Sequence, residues 1–254
     1  LSPGKPQASS LVAVTQVLLR ARTFVSWLQT HSQICSQSGS CAACALFRAC
    51  EHMGSKIVPE VCDGSWAEGG LRRHSRIGEA PRPSEVVEDL LRSMRRVEEV
   101  AGRTARWEGV GVDGSLDATN VDRFFGFIEE CRLKCKACGE TGLRYENGLV
   151  LRVAAPGSDM TKWSLYDAYL AHCGLQHASK QCRACSSVDV LSQRCLVCLP
   201  EILVVEIDRC HGGAEAQRQE VIVDEQIAFP RAGAMHLHAL VFHFGRPGPL
   251  DITL

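Results

Sequence analysis

The spacing of apolar positions changes along the chain. In LVAVTQVLLRARTFVSWLQT, residues 11–30, Leu11, Val14, Leu18, Phe24, Val25 and Leu28 recur at the three-to-four spacing of one helix face, with Pro6 and Ser9/Ser10 upstream as a start. The segment predicts one long helix or two short ones. Ser and Gly then make a turn before a second helical patch around Ala45–Met53, and residues 63–82, rich in Gly, Arg and Glu, read as a loop closed by Pro81 and Pro83. After Pro83, SEVVEDLLRSMRRVEEV places Val86, Val87, Leu90, Leu91, Met94 and Val97 on one side, with Ser84 as N-cap. Early acids and later arginines suit the dipole of this helix, although Glu98 and Glu99 run against it. Residues 101–119 hold several glycines and little period, so they predict a loop or short irregular strands.

From Phe124 the pattern turns toward strands. FFGFIEECRLKCKAC and LRYENGLVLRVAA come first, with Asn147-Gly148 marking a turn. SLYDAYLAHCGL is a short helix capped by Ser164. LPEILVVEIDRC, EVIVDEQIAFP and HLHALVFHF are apolar runs separated by polar and Gly-containing turns. Helices early and strands late predict an α+β fold, with the helices to one side of an antiparallel sheet.

Length and charge narrow the function classes. The 254 residues suffice for one large domain or two small ones with a core of their own. Lys+Arg total 28 against 29 Asp+Glu, and aromatics are 6%. A net charge of -1 and so few rings give neither the basic surface nor the stacking platform of a nucleic-acid binder. No apolar run has the length of a bilayer span, so no membrane role is expected. The opening LSPGKPQASSLVAV has neither a start Met nor a signal-peptide layout, and a fragment is expected.

The 14 cysteines change the picture most. Cys135/Cys138, Cys182/Cys185 and Cys195/Cys198 are C-x-x-C pairs, and Cys41/Cys44 is a fourth. Two-residue spacing lets both thiolates of a pair reach one metal ion, the usual reading in a reducing compartment, so the cytoplasm or nucleus is expected. Cys135, Cys138, Cys182 and Cys185 together complete a closed tetrahedral Zn²⁺ site, and the residues between them predict a small antiparallel ribbon clamped by the ion. A closed site is structural and activates no water. Cys195 and Cys198 compete for that ion, hold another, or pack; packing is the simplest. Cys41 and Cys44, with His31, Cys35 and Cys50 nearby, either ligate a second zinc or pack as small thiols. Ser9 reads as a cap, Asp208 and Arg209 as a rim ion pair, and His236, His238 and His243 as structural or surface residues.

In order, CKAC, SLYDA, CRAC, LPEILVVEIDR and LHALVFHFG resemble the ubiquitin-specific protease family of papain-like cysteine peptidases, and the resemblance extends loosely over nearly the whole chain. It implies one domain over 1–254: a helical thumb (1–120), zinc-bound fingers (121–198) and an antiparallel palm (199–254). It implies ubiquitin or ubiquitinated proteins as partners, and thiol-dependent removal of ubiquitin as the family activity. Aligned on Gln16, the family's Gly-Asn-Thr-Cys motif falls on Pro6, Gln7, Ala8 and Ser9, which puts Ser9 at the nucleophile position and Val12 at that of an Asn. Arg82, Pro83 and Glu85 fall over its Asp-Ala-x-Glu helix, and His243 over the His-x-Gly preceding the catalytic histidine, for which GRPGPLDITL offers no match. An alcohol without an imidazole base is a poor substitute for a thiolate–imidazolium pair, so this chain is expected to be inactive. The alternatives are a catalytically dead scaffold that binds ubiquitin or another protein, and an unrelated zinc-ribbon module for protein contact.

Overall fold

The computed structural model describes residues 13–53, 83–106, 117–154, 156, 161–178, 180–208 and 220–239. The chain divides into two compact units: Leu1–Ala105 with Ala118–Phe124 and Ala239–His243, and Arg106–Asp117 with Phe125–His238 and Phe244–Leu254.

Helices make the first unit. The run expected as one or two helices is two, α1 (residues 13–18) and α2 (Arg22–Ile34), separated by a tight turn in which the amides of Arg20 and Ala21 bond back three residues to Val17 and Leu18. On α2 the buried positions are Phe24, Leu28 and His31, one stripe at i, i+4 and i+7. Helix α3 (Ala42–Met53) buries Ala42, Ala43, Ala45, Leu46 and Ala49, mostly small side chains that allow close approach to α2. Helix α4 (Pro83–Val100) starts at Pro83, so Ser84 lies inside the first turn instead of capping it; a proline is favoured at that first position because its missing N–H would be unsatisfied anyway. Its buried stripe, Val86, Val87, Leu90, Leu91 and Met94, runs on into Glu98. Phe124 and Phe125, expected in a strand, close the short helix α5 (Asn120–Phe125). Thr119 starts α5 by accepting from the Asp122 amide, while the Asp122 carboxylate accepts from Thr119 N–H and Oγ1. The ring of Phe124 then meets Phe24 edge-on.

Two short strands, β1 (Ala105–Arg106) and β2 (Asp117–Ala118), pair in the region expected to be irregular. The second unit is built on the longest sheet, with order β4-β3-β8-β7 from β3 (Phe127–Cys135), β4 (Thr141–Gly148), β7 (Gln176–His177) and β8 (Val190–Cys198), all antiparallel. Asn147 and Gly148 belong to β4, so the expected turn there falls beyond them. Gly148 faces Phe127, and a Cβ on it would come within 2.3 Å of that ring.

The remaining strands correct the antiparallel expectation. β5 (Leu151–Ala154) pairs in parallel with β9 (Val205–Asp208), and β6 (Lys162–Ser164) in parallel with β10 (Glu220–Ile222). Only β11 (Gln226–Phe229) and β12 (Gly233–His236) form an antiparallel hairpin among them. Helix α6 (Leu165–His172) has the expected cap: Ser164 Oγ accepts from the Asp167 amide, and the Asp167 carboxylate accepts from the Ser164 amide. The chain between the two cysteine pairs is accordingly no simple ribbon, because it also supplies β5, β6 and α6. The core gathers Phe127, Leu151, Val153, Trp163, Tyr169, Leu196 and Phe229. Tyr169 lies edge-on to Phe229 at 4.8 Å, and its hydroxyl accepts from the buried Leu196 amide.

Candidate metal centres

Two turns of the same design meet at one end of the β3–β8 pair. Cys135 ends β3, and its amide donates to Glu140 O while the Gly139 amide donates to Cys135 O. In the second turn the Cys182 amide donates to Ser187 O and the Ser186 amide to Cys182 O. The residue after each second cysteine takes a left-handed backbone, Gly139 at φ +78° and Ser186 at φ +58°, which folds each pair back on itself. The Lys136 amide donates to Asp189 O and holds one turn to the other.

The result brings Cys135, Cys138, Cys182 and Cys185 together, with all four sulfurs within 4.8 Å of one another. Cys135 Sγ lies 3.6 Å from Cys185 Sγ, and Cys138 Sγ 3.6 Å from Cys182 Sγ. A tetrahedron with Zn–S bonds of about 2.3 Å has edges of about 3.8 Å, so the set fits a zinc ion and leaves no position open. Its electrostatics point the same way. The backbone N–H of Cys138, then that of Ala137, brings the Cys135 thiol down to about 7. The Glu140 amide favours the Cys138 thiolate, but the neighbouring sulfurs and burial outweigh it and push Cys138 up to about 12. The Cys135 thiolate forms readily while the Cys138 and Cys185 thiols are held up beside it, a conflict that a bound dication removes.

A second cluster lies in the helical unit. His31 comes from the last turn of α2, Cys35 follows it, Cys41 precedes α3 and Cys44 is in the first turn of α3. Their ligand atoms also lie within 4.8 Å of one another, and His31 Nε2 is 3.3 Å from Cys41 Sγ. Burial alone would raise the Cys41 thiol, but His31 and the Cys44 and Ala43 amides bring it down to about 7. The Cys41 thiolate, then Glu98, raises His31 to about 10. Burial and the Cys41 and Cys35 sulfurs push Cys44 up to about 12. Three sulfurs and one imidazole are a common closed zinc set.

Cys41, His31 and Glu98 also follow the order of nucleophile, base and orienting carboxylate. Exposure decides against that chemistry: Cys41 is 1%, His31 2% and Glu98 1% exposed, so no peptide carbonyl reaches the sulfur. Cys35 and Cys44, at ligand distance, complete a set able to hold a metal ion instead.

Other expected site residues fall elsewhere. Cys195 and Cys198 are half-buried on β8, opposite Glu130 and Ile128 of β3, and belong to neither cluster; Cys195 Sγ lies 4.0 Å from the Tyr169 hydroxyl. Ser9, Arg82, Arg209 and His243 lie outside the described residues. Sequence reasoning missed the buried acids. Glu98 faces His31 at 3.7 Å, Glu129 bonds His172 and Arg194, and Glu130 bonds Arg231 and Arg132. A signal for Glu98 existed: an acid in the last turn of a helix opposes its dipole and needs a reason to be there.

Neither the known family models nor the curated proteins include a match to this chain. Solved structures do match in fold. A chain in a structure of the yeast SAGA DUB module with a Sgf73 point mutant is 14% identical, with a TM-score of 0.60, covering 85% of this chain and 49% of that one. A chain in a Ubp8/Sgf11/Sus1/Sgf73 DUB module is 15% identical, with a TM-score of 0.60, covering 92% and 53%. This chain spans about half the length of the chains it matches. At such identities the likeness is one of fold alone: this mixed α and β structure, with two clusters among the described residues able to hold a metal, resembles the matched chains of those DUB-module structures.

Proposed function

We propose that this chain is a ubiquitin-specific-protease-like domain that binds ubiquitin or ubiquitinated protein, held in shape by zinc, and that these 254 residues do not hydrolyse the ubiquitin linkage. The observation that carries the reading is the closed sulfur tetrahedron at the end of the β4-β3-β8-β7 sheet, in a chain whose fold resembles a DUB module. A closed tetrahedron supplies rigidity to a narrow sheet and no water activation, so the role assigned to the metal is structural. Zinc, when bound, holds the two turns together. The chain's own residues do the remaining work: Lys136 ties the turns, and Glu129 locks α6 to the sheet through His172.

The same proposal excludes hydrolysis on chemical grounds. Cysteine-peptidase chemistry needs a thiolate beside an accessible imidazole. Among the described residues the pair with that geometry, Cys41 and His31, is buried and engaged with two further sulfurs. Ser9, the residue aligned with the nucleophile, is an alcohol. A reducing compartment, the cytoplasm or nucleus, belongs to this proposal because both clusters need thiolates.

The test uses the zinc-loaded chain with mono-ubiquitin in a calorimeter, and with an electrophilic ubiquitin probe. Saturable binding without covalent capture is expected. Capture or turnover would overturn the claim of inactivity, and absence of binding to ubiquitin and ubiquitin chains would overturn the ubiquitin reading.

A further inference from the structure

The buried stripe of α4 ends on a charge. Glu98 is 1% exposed, in the last turn of the helix, where the dipole disfavours an anion. Its two oxygens are held in different directions. Oε2 accepts from the Asn120 backbone N–H at 2.8 Å, at the start of α5. Oε1 accepts from Asn120 Nδ2 at 3.2 Å and faces His31 Nδ1 at 3.7 Å. That Nδ1 is buried and has no hydrogen-bond partner, while Nε2 of the same ring is directed at Cys41 Sγ, 3.3 Å away. One nitrogen thus faces the sulfurs and the other faces the carboxylate.

An imidazole that ligates a metal through one nitrogen donates the N–H of the other to an acceptor, most often a carboxylate or a carbonyl. We propose that Glu98 is the outer-sphere partner of the His31/Cys35/Cys41/Cys44 centre: it accepts from His31 Nδ1–H, fixes the ring with Nε2 toward a divalent, sulfur-preferring ion such as zinc, and ties α4 and α5 to that ion. The inference rests on the reading of that cluster as a metal centre. The gap to be closed is under about 1 Å, within reach of a small ring rotation. Trp27, whose ring centroid lies 5.2 Å from that of the imidazole, packs against His31.

Charge balance explains the role of Asn120. Three thiolates outweigh a dication by one negative charge, so a neighbouring carboxylate is tolerated only if its own charge is partly met elsewhere. The two N–H groups of Asn120 meet it, one on each carboxylate oxygen. Glu99, the next residue, is exposed and pairs with Arg95, so it has no part in this arrangement.

Glu98→Gln keeps the shape but leaves one acceptor oxygen, which cannot stand both where Oε2 accepts from the Asn120 backbone N–H and where Oε1 faces His31 Nδ1. Wild type, Glu98→Gln and Glu99→Gln are loaded with zinc, and separately with Co²⁺, and each site's affinity is measured by competition with a chromophoric chelator. Wild type and Glu99→Gln are expected to hold two ions. Glu98→Gln is expected to lose roughly ten- to a hundredfold in affinity at one site only, with altered Co²⁺ absorption bands from that site and an unchanged Cys135/Cys138/Cys182/Cys185 site. If Glu98→Gln does not fold, Asn120→Ala, which removes one donor that orients the carboxylate, decides through a smaller loss at the same site. Unchanged affinity and cobalt spectrum in the folded variant overturn the role of Glu98 and leave the metal centre standing. A wild-type chain that binds one ion, removed by Cys135→Ser, overturns the metal centre itself and the inference with it.

Discussion

Glu129 and Glu130 are consecutive on β3, point to opposite faces of the sheet, and are both buried. Each carboxylate has partners from distant parts of the sequence, His172 and Arg194 for Glu129 and Arg231 for Glu130, and Glu130 also pairs with Arg132 two residues along the same strand. The hydrogen bonds from Arg231, opposed by burial and helped by Arg132, hold the Glu130 carboxyl down at about 2. A carboxylate with a depressed folded value contributes stability that is present above its unfolded value, about 4.3, and is lost as pH falls through the folded one. Denaturant unfolding of Glu130→Gln should therefore show a loss of about 1–3 kcal/mol at neutral pH, discounted because Arg231 is half exposed, and a difference from wild type that shrinks between about pH 4.5 and about pH 2. A constant difference across that window would mean that the charge is not what stabilises the pair. The long-range partnerships were not legible in the sequence, because Glu130 and Arg231, like Glu129 and Arg194, are neighbours only in space. The cysteine pairs were legible, since two-residue spacing is itself the local requirement for sharing an ion.

Among the elements, the periodic helices and the Ser164 cap could be read from the sequence because a helix is specified by residues three and four apart. Pairing between strands could not. The parallel partners β5 with β9 and β6 with β10 are each joined by long crossovers, and alternation along one strand carries no information about its neighbour. Phe124 and Phe125 misled for a related reason: aromatic residues next to a strand favour strand in isolation, but the Thr119–Asp122 cap turns them into a helix. Asn147-Gly148 suggested a turn, yet Gly148 serves β4 by leaving room for the Phe127 ring. Gly148→Ala would press a methyl group into that ring, and a loss of about 1–3 kcal/mol in thermal or denaturant unfolding is expected. Phe127→Leu in the same background should recover part of it by making space. A wild-type stability for Gly148→Ala would show that the ring moves aside freely.

At the scale of the whole molecule, the two clusters of sulfur and imidazole found among the described residues, one in each compact unit, carry the proposal of a zinc-held binding domain. A ligand set drawn from separated turns binds its ion only when folded, so binding free energy becomes folding free energy. The mixed helix and strand content was legible from early helices and late strands, but the antiparallel palm expected with it is not what the parallel pairs show. The first cluster was legible from cysteine spacing. The second centre was only half legible, since Cys41/Cys44 invites equally a helix packing small thiols. Its decisive ligand is His31, which lies on the buried stripe of α2 where a core residue is the simpler expectation.

Zinc K-edge X-ray absorption on the purified chain, combined with its metal content, addresses both centres at once. Two ions per chain are predicted, in a shell dominated by sulfur at about 2.3 Å with a minor nitrogen contribution at about 2.0–2.1 Å, between the sets S₄ and S₃N. A folded chain that retains no zinc, or an ion surrounded by oxygen and nitrogen, would contradict it.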